Sequence, residues 1–399
     1  MDAISPLLLK DSHEAPADFF ASICWSLICE PGDSFAGLLI SSFGAANSLV
    51  LEIEQTSPSK YLSLLREHES SGIERFRSLE KVAADARQRW MPRMNLRQVV
   101  EACQDMARLG GWFVTSEHHA WPERLLDLEN HVPRGLWGLG DHGTLGALSD
   151  AFSFVGSRIS TDYGQNTCLD LIEPLVARGS AIVSGGAYGI DAAAHRAAIA
   201  SGGRTVAMMA GGLDRLYPSG NAELFVSIRK RGALLSEMPP GAEPTKWRFL
   251  QRNRLIAASA QSTLVVEAGF KSGARNTATH AASLQRQVFA IPGQINAPVS
   301  QGCNLLIANK IAELIQCPSD LLEMAGFADL QQDFELYGLG ALETRALDAV
   351  GFSLMGTAEI AQLAGLTSNE VRFALATLQL SGLLIQQGSK WMRAGGSTV

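Results

Sequence analysis

The period of the apolar positions changes along the chain, and the changes divide it into segments. From Asp18 to about Arg89 the period is helical: Phe19, Ile23, Leu27 and Ile28 recur at the spacing of one helix face. Pro31-Gly32 ends that helix, and Asp33 or Ser34 is placed to cap the next. Tyr61 to Arg89 reads as a further helical stretch with a charged outer face. Residues 17–90 are therefore predicted to form a small helical domain, and Pro31-Gly32 with Phe43-Gly44 would make it SAM-like, of helix-hairpin-helix type. Residues 1–16 carry Pro6, Pro16 and mixed charges without period, and are expected to be a disordered tail.

Between 91 and 328 the pattern switches to short apolar runs: Phe152–Val155, Ala181–Ser184, Thr205–Ala210, Ala233–Ser236, Thr263–Glu267 and Val288–Ile291. Their starts are 29, 24, 28, 30 and 25 residues apart, enough each time for one crossover helix. The runs are apolar on both faces, as parallel strands covered by helices must be. The spacing predicts an α/β domain built on a doubly wound, mostly parallel sheet of extended Rossmann-like form. Gly111–Thr115 adds an extra strand, and Trp121–Gly140 a lead-in.

The polar stretch 329–340 reads as a linker. Beyond it, Ala341–Val350 and Thr357–Leu363 are two short helices, and the capping box Thr367-Ser368-Asn369-Glu370 opens a third that stops before Gly382. Leu383–Gln387 and Lys390–Arg393 flank Gly388-Ser389 as a hairpin. Three helices and a hairpin over 341–399 predict a winged helix.

Glycine-rich turns follow the strands. They are Gly156-Ser157-Arg158, the run Gly185-Gly186-Ala187-Tyr188-Gly189-Ile190-Asp191, Gly211 to Asp214, and Ser272-Gly273-Ala274-Arg275-Asn276-Thr277. In an open α/β sheet the ligand lies beyond these strand ends, and helix N-termini there favour anions. The strand Phe152–Val155 is not followed by the dinucleotide motif G-x-G-x-x-G, and the P-loop, H-E-x-x-H and G-x-S-x-G are missing. Asp191 and His195 share a helical face, and a capping Asp beside a packed His accounts for them better than an acid–base pair does.

Charge narrows the choice of anion. The chain carries 33 basic and 40 acidic residues, net −7, so its surface as a whole does not suit nucleic acid. Yet from Pro244 to Arg286 it holds Lys246, Arg248, Arg252, Arg254, Lys271, Arg275 and Arg286 against Glu267 alone, a window of +6. Trp247, Phe249 and Phe270 interleave with these cations. Cations for phosphates and rings for bases are what single-strand binding uses, and Arg252-Asn253-Arg254 offers guanidinium forks. A phosphorylated small molecule stays open as an alternative ligand. Six scattered cysteines without C-x-x-C suggest neither a zinc site nor disulfides. No apolar run reaches membrane-span length and the N-terminus lacks a secretion-signal pattern, so a cytoplasmic protein is expected, with no metal and no cofactor.

The motifs resemble the DprA (Smf) family of bacterial DNA-processing proteins. The resemblance runs through Val155-Gly156-Ser157-Arg158, Tyr163-Gly164, Ile182-Val183-Ser184-Gly185, Gly189-Ile190-Asp191, Tyr217-Pro218, Phe249, Arg252-Asn253-Arg254 and Val265-Val266-Glu267-Ala268. It continues through Ser272-Gly273, Pro292-Gly293 and Gly302-x-Asn304, so that it spans roughly Trp121 to Ala312. It implies a non-enzymatic, dimeric protein that binds and protects single-stranded DNA and loads the recombinase RecA in natural transformation and recombination. The DNA-binding set it implies is Gly156, Ser157, Arg158, Gly185, Gly186, Tyr188, Gly189, Lys246, Arg248, Phe249, Arg252, Asn253, Arg254, Ser272, Gly273 and Arg275. Tyr188 stands where the family commonly has Arg, trading a cation for a ring. Leu250 replaces the usual Pro, and Gln285 a Gly. The competing enzyme reading, a phosphoribohydrolase-like Rossmann protein, needs P-G-G-x-G-T-x-x-E, and Ala210-Gly211-Gly212-Leu213-Asp214 lacks its Thr and Glu. A duplex-reading regulator is weakened because charges balance to zero over 341–399 and Arg372 is the one base of the third helix.

Overall fold

A computed structural model describes residues 4–9, 12–67, 78–327, 339–351 and 353–394. The chain divides into two compact units, Met1–Ala325 and Gly326–Val399.

The first unit opens with helices α1 (Pro16–Ile28), α2 (Ser34–Phe43), α3 (Ala45–Ile53), α4 (Pro58–Glu67), α5 (Leu79–Trp90) and α6 (Leu96–Arg108). Asp33 is the cap the sequence promised: its carboxylate accepts from the backbone N–H of Phe35 and Ala36, which α2 leaves without intrahelical partners. An antiparallel pair follows, β1 (Trp112–Val114) and β2 (Leu136–Gly140). The βα repeat then runs β3 (Phe152–Val155), α7 (Asp162–Ala177), β4 (Ile182–Ser184), α8 (Ile190–Ala200), β5 (Thr205–Met209), α9 (Ala222–Arg231), β6 (Ala233–Ser236) and α10 (Lys246–Ala258). It closes with β7 (Ser262–Val265), α11 (Gly273–Ser283), β8 (Gln287–Ala290), α12 (Gln301–Ala308), β9 (Glu313–Leu314) and α13 (Pro318–Met324). Strands stand at each of the six predicted places.

Among the described residues these strands form one nine-stranded sheet in the order β1-β2-β6-β5-β4-β3-β7-β8-β9. From β6 to β9 every pairing is parallel, and β2 joins β6 antiparallel. Alternation along each strand sends side chains to both faces. Val206 and Met208 enter one core with Leu255 and Ile256 of α10, while Ala207 and Met209 enter another with Phe225 and Ile228 of α9. That second core continues through Phe113 and Trp137 into the N-terminal helices; Phe19 meets Phe113 edge-on at 5.7 Å. The helices expected as a domain over 17–90 thus share a core with one face of the sheet. Part of the expected tail is docked as well. Ile4 and Leu7 are buried in that core and Leu9 in the other, because their apolar side chains find open sheet-edge surface to cover.

The parallel strands run outward in two directions from β3: through β4 and β5 to β6 on one side, and through β7 and β8 on the other. The connections after β3 and β7 diverge, and such a switch point opens a crevice at the C-terminal edge of a sheet.

In the second unit, α14 (Ala341–Ala349), α15 (Thr357–Ala364) and α16 (Ser368–Leu380) accompany a three-stranded antiparallel sheet. Its strands are β10 (Met355–Gly356), β11 (Leu384–Gln387) and β12 (Lys390–Arg393), in the order β10-β12-β11. Ile360, Leu375, Leu378, Leu384 and Trp391 pack inside. The Thr367–Glu370 capping box forms, and Gly382, at φ 71°, stops α16 in the left-handed region. Strand β10 had no sequence signal, being two residues long. Most of the predicted linker lies outside the described residues. No single helix among the described residues is long and apolar enough to cross a membrane.

Candidate functional site

A crevice of about 440 Å³ lies at the switch point between β3 and β7. One wall is the turn after β3, Gly156-Ser157-Arg158, with Ala187 and Asp191 from the turn after β4. The opposite wall is Gly269, Lys271, Ser272 and Gly273, where α11 begins. Helix α10 closes the back through Phe249, Arg252, Asn253 and Ile256, spaced so that one helical face looks inward.

Local sequence explains why the turns stand so close. Gly189 has φ 75°, and a Cβ there would lie 2.1 Å from the Ser157 carbonyl oxygen. Only glycine lets the two turns meet, and the Ile190 N–H then donates to that oxygen at 3.0 Å. At Gly185 a Cβ would come within 2.8 Å of the Arg252 guanidinium and the Asp191 carboxylate. Ser272 caps α11 by accepting from the Ala274 N–H at 3.3 Å, leaving the helix N-terminus at the crevice wall.

Two acids approach the site, and both are engaged. Glu267, 2% exposed, accepts from the Thr161 N–H at 3.0 Å and from the Thr161 hydroxyl, while its carbonyl accepts from the Ser157 N–H. The one acid of the basic window is therefore an internal clamp on the β3 turn. Asp191 accepts from the Ala187 N–H at 3.2 Å; burial raises its pKa, and Arg252 opposes the rise.

Arg252 is 6% exposed and fixed by its own backbone contacts. It donates to the carbonyl oxygens of Gly185 (2.6 Å) and Met208, which cap the ends of β4 and β5. Burial lowers its pKa to about 10, Asp191 working against the fall and Arg158 with it, so it stays cationic at neutral pH. The guanidiniums of Arg158 and Arg252 both approach the Phe249 ring, at 5.4 and 5.6 Å from its centre, and Tyr217 meets it edge-on at 5.8 Å. Arg158 and Lys271 are exposed.

The predicted residues divide. The structure brings Gly156, Ser157, Arg158, Phe249, Arg252, Asn253, Ser272 and Gly273 to the crevice. Asn253 ties α10 to α11 through Asn276, at 3.1 Å. Gly185 and Gly189 support it from behind, Gly185 by accepting from Arg252 and Gly189 by its close approach to Ser157. Gly186 and Tyr188 belong to the same turn without lining the crevice, and Lys246 is exposed at the first turn of α10. Arg275 lies over Phe270 at 5.4 Å. Arg248 and Arg254 go elsewhere. Arg248 grips Glu30 with two bonds of 3.0 and 2.8 Å, and Arg254 pairs with Glu237 at 2.8 Å. Lys271 and Thr277 also line the crevice and were not in the predicted set. The signal for Lys271 was its place one residue before the Ser272 cap. His195 is fully buried, its Nδ1 2.7 Å from the Thr205 hydroxyl, and burial lowers its pKa to about 3, so it neither charges nor reaches the crevice at neutral pH.

Residues 112–326 match the family model described as DNA recombination-mediator protein A. A Mycobacterium tuberculosis protein, provisionally named DNA processing protein DprA, is 38% identical over 321 residues, 75% of this chain and 82% of its own. The DNA processing protein DprA of Streptococcus pneumoniae is 41% identical over 168 residues, 42% of this chain and 59% of its own. An X-ray structure of DNA processing protein A from Streptococcus pneumoniae aligns over 78% of this chain and 98% of its own, at 27% identity and a TM-score of 0.60.

Proposed function

The chain belongs to the DNA recombination-mediator protein A (DprA/Smf) family, a family of DNA processing and recombination, and from that premise we propose that it holds single-stranded DNA in the switch-point crevice, without turnover, and passes it to RecA. The observation that carries this reading is the Phe249 ring beside the Arg158 and Arg252 guanidiniums, with Lys271 and the α11 N-terminus on the facing wall. Cations and free N–H groups hold phosphates, and a ring beside them takes a base. Both nearby carboxylates are buried and engaged within the protein, so neither is free for acid–base work. Asp214, in the loop where a phosphoribohydrolase needs its motif, accepts from the Gly241 N–H at 2.8 Å as a turn tie.

Competition tests the reading. A labelled oligothymidylate bound to the full chain is displaced by unlabelled single strand and resists duplex of equal length. Equal displacement by duplex overturns it, as does release of free base from a nucleoside monophosphate at ordinary enzyme concentrations. Arg248→Ala makes a sharper point: with its guanidinium held by Glu30, affinity for the oligonucleotide is expected to stay within about twofold of wild type.

RecA as recipient and a homodimer as working form are supported by the motif resemblance. Earlier onset of RecA filament formation on strand coated by this protein would bear out the first, and sedimentation at micromolar concentration the second. We read the second unit as a winged helix, from three helices and an antiparallel sheet in the expected order. Its third helix exposes Phe373 (66%) and Leu380 (91%) with Arg372 as its one base, a surface better suited to a protein partner than to duplex phosphates.

A further inference from the structure

Resting on the reading of the crevice as a single-strand site, we propose that the strand continues out of it over a path of three rings, Phe249, Tyr217 and Tyr188, so that Tyr217 and Tyr188 form a second, base-stacking subsite beyond the phosphate-holding one. Phe249 is the shared wall. One neighbour of its ring is Arg158, at the crevice, and another is Tyr217, edge-on at 5.8 Å. Tyr217 is 52% exposed and Tyr188 is 47% exposed, so each leaves about half its surface in water. They follow β5 and β4, the second and first strands out from β3 on one side of the sheet, which places the path along the same C-terminal edge as the crevice.

The two tyrosines stand on one rigid support. Asn221, 3% exposed, donates from its amide to the carbonyl oxygens of Gly186 (3.0 Å) and Ala187 (3.3 Å), tying the turn that carries Tyr188 to the turn that carries Tyr217. Gly220 leaves room for the Tyr188 ring: a Cβ there would come 2.5 Å from the Tyr188 hydroxyl. A ring already held in place loses little freedom when a base stacks on it. The charges near this path are largely matched, since exposed Arg215 faces exposed Glu243 at 3.7 Å and Asp214 is bonded to the Gly241 N–H. The second subsite therefore contributes stacking and not phosphate capture. It also accounts for the ring at 188 in place of the family's usual cation.

The test measures affinity of the full chain for fluorescent oligothymidylates of about 4 and about 12 nucleotides at several salt concentrations. The variants are Tyr188→Ser/Tyr217→Ser and, as the conservative partner, Tyr188→Phe/Tyr217→Phe. Stacking of one or two bases predicts a loss of about tenfold or more on the long strand for the serine pair. Unchanged affinity for the short strand, an unchanged slope against log salt and near-wild-type behaviour of the phenylalanine pair complete the expected result. Long-strand affinity equal to wild type overturns the path and leaves the crevice reading standing. Equal loss on both lengths, or a shallower salt slope, also overturns it, because the tyrosines would then be supporting the crevice. Failure of the wild type to bind either strand overturns the crevice reading and the path with it.

Discussion

Arg158→Ala/Lys271→Ala is expected to lose single-strand affinity by about 100-fold or more, each charge-assisted contact being worth roughly 1.5–3 kcal/mol. Both side chains are exposed, they stand on opposite walls of the crevice, and neither makes an ion pair among the described residues. Their removal takes charge from the ligand's path and nothing from the core, so Tm should move by about 1 °C or less. Fluorescence anisotropy with a labelled oligonucleotide checks the first effect and calorimetry the second. A large fall in Tm would assign these cations to the fold instead.

Arg254→Ala is expected to do the reverse. Arg254 is 4% exposed and spends its guanidinium on Glu237 (2.8 Å), the His131 carbonyl (2.9 Å) and the Gln251 carbonyl (3.1 Å). Deleting it leaves the Glu237 carboxylate, in a residue 8% exposed, without its cation; such half-broken buried pairs cost about 3–5 kcal/mol. For a unit of this size that is a fall in Tm of about 5 °C or more. Removing both charges, in Arg254→Met/Glu237→Gln, should restore most of the loss, since the penalty is the orphaned carboxylate. Affinity per folded molecule should stay within about twofold of wild type in both variants, as the mutated surface is not the crevice. Calorimetry on the single and double variants, with anisotropy on the folded fraction, decides between a structural and a ligand-binding role for Arg254.

This contrast shows where the sequence was legible and where it was not. Strands β3 to β8 could be read because parallel strands buried on both faces are continuous apolar runs, and their spacing demanded crossovers. Strand β2 was hidden in a segment read as a lead-in, where Gly138 and Gly140 dilute the apolar signal. Strand β9, two residues long, carries too little pattern to register. The glycine turns were legible as the walls of a crevice because chain topology brings the ends of β3, β4 and β7 to one edge.

Charge was the harder quantity. The run from Lys246 to Arg254 reads as one basic patch along the chain, but a helix turns its members to different sides. Phe249, Arg252 and Asn253 face the crevice, while Arg248 and Arg254 meet carboxylates from other elements. Glu30 lies 218 residues from Arg248 in sequence, so nothing local announces that this cation is already matched. Arg252 was read as a phosphate fork, yet its bonds to the Gly185 and Met208 carbonyls make it the support of the crevice floor. The +6 of the window overstates the charge it leaves exposed and unpaired, among the described residues, at the crevice side, which is mainly that of Lys246 and Lys271, with Arg158 added from the β3 turn.

The central claim, phosphate capture at the switch-point crevice, is tested most directly by the salt dependence of single-strand affinity for the wild type and for Arg158→Ala/Lys271→Ala. The account predicts a linear fall of log affinity with log salt, with a slope of about −0.7 for each phosphate contacted, and a slope shallower by roughly 1.4 in the double variant. A flat response in the wild type, or the same slope in both proteins, would contradict it.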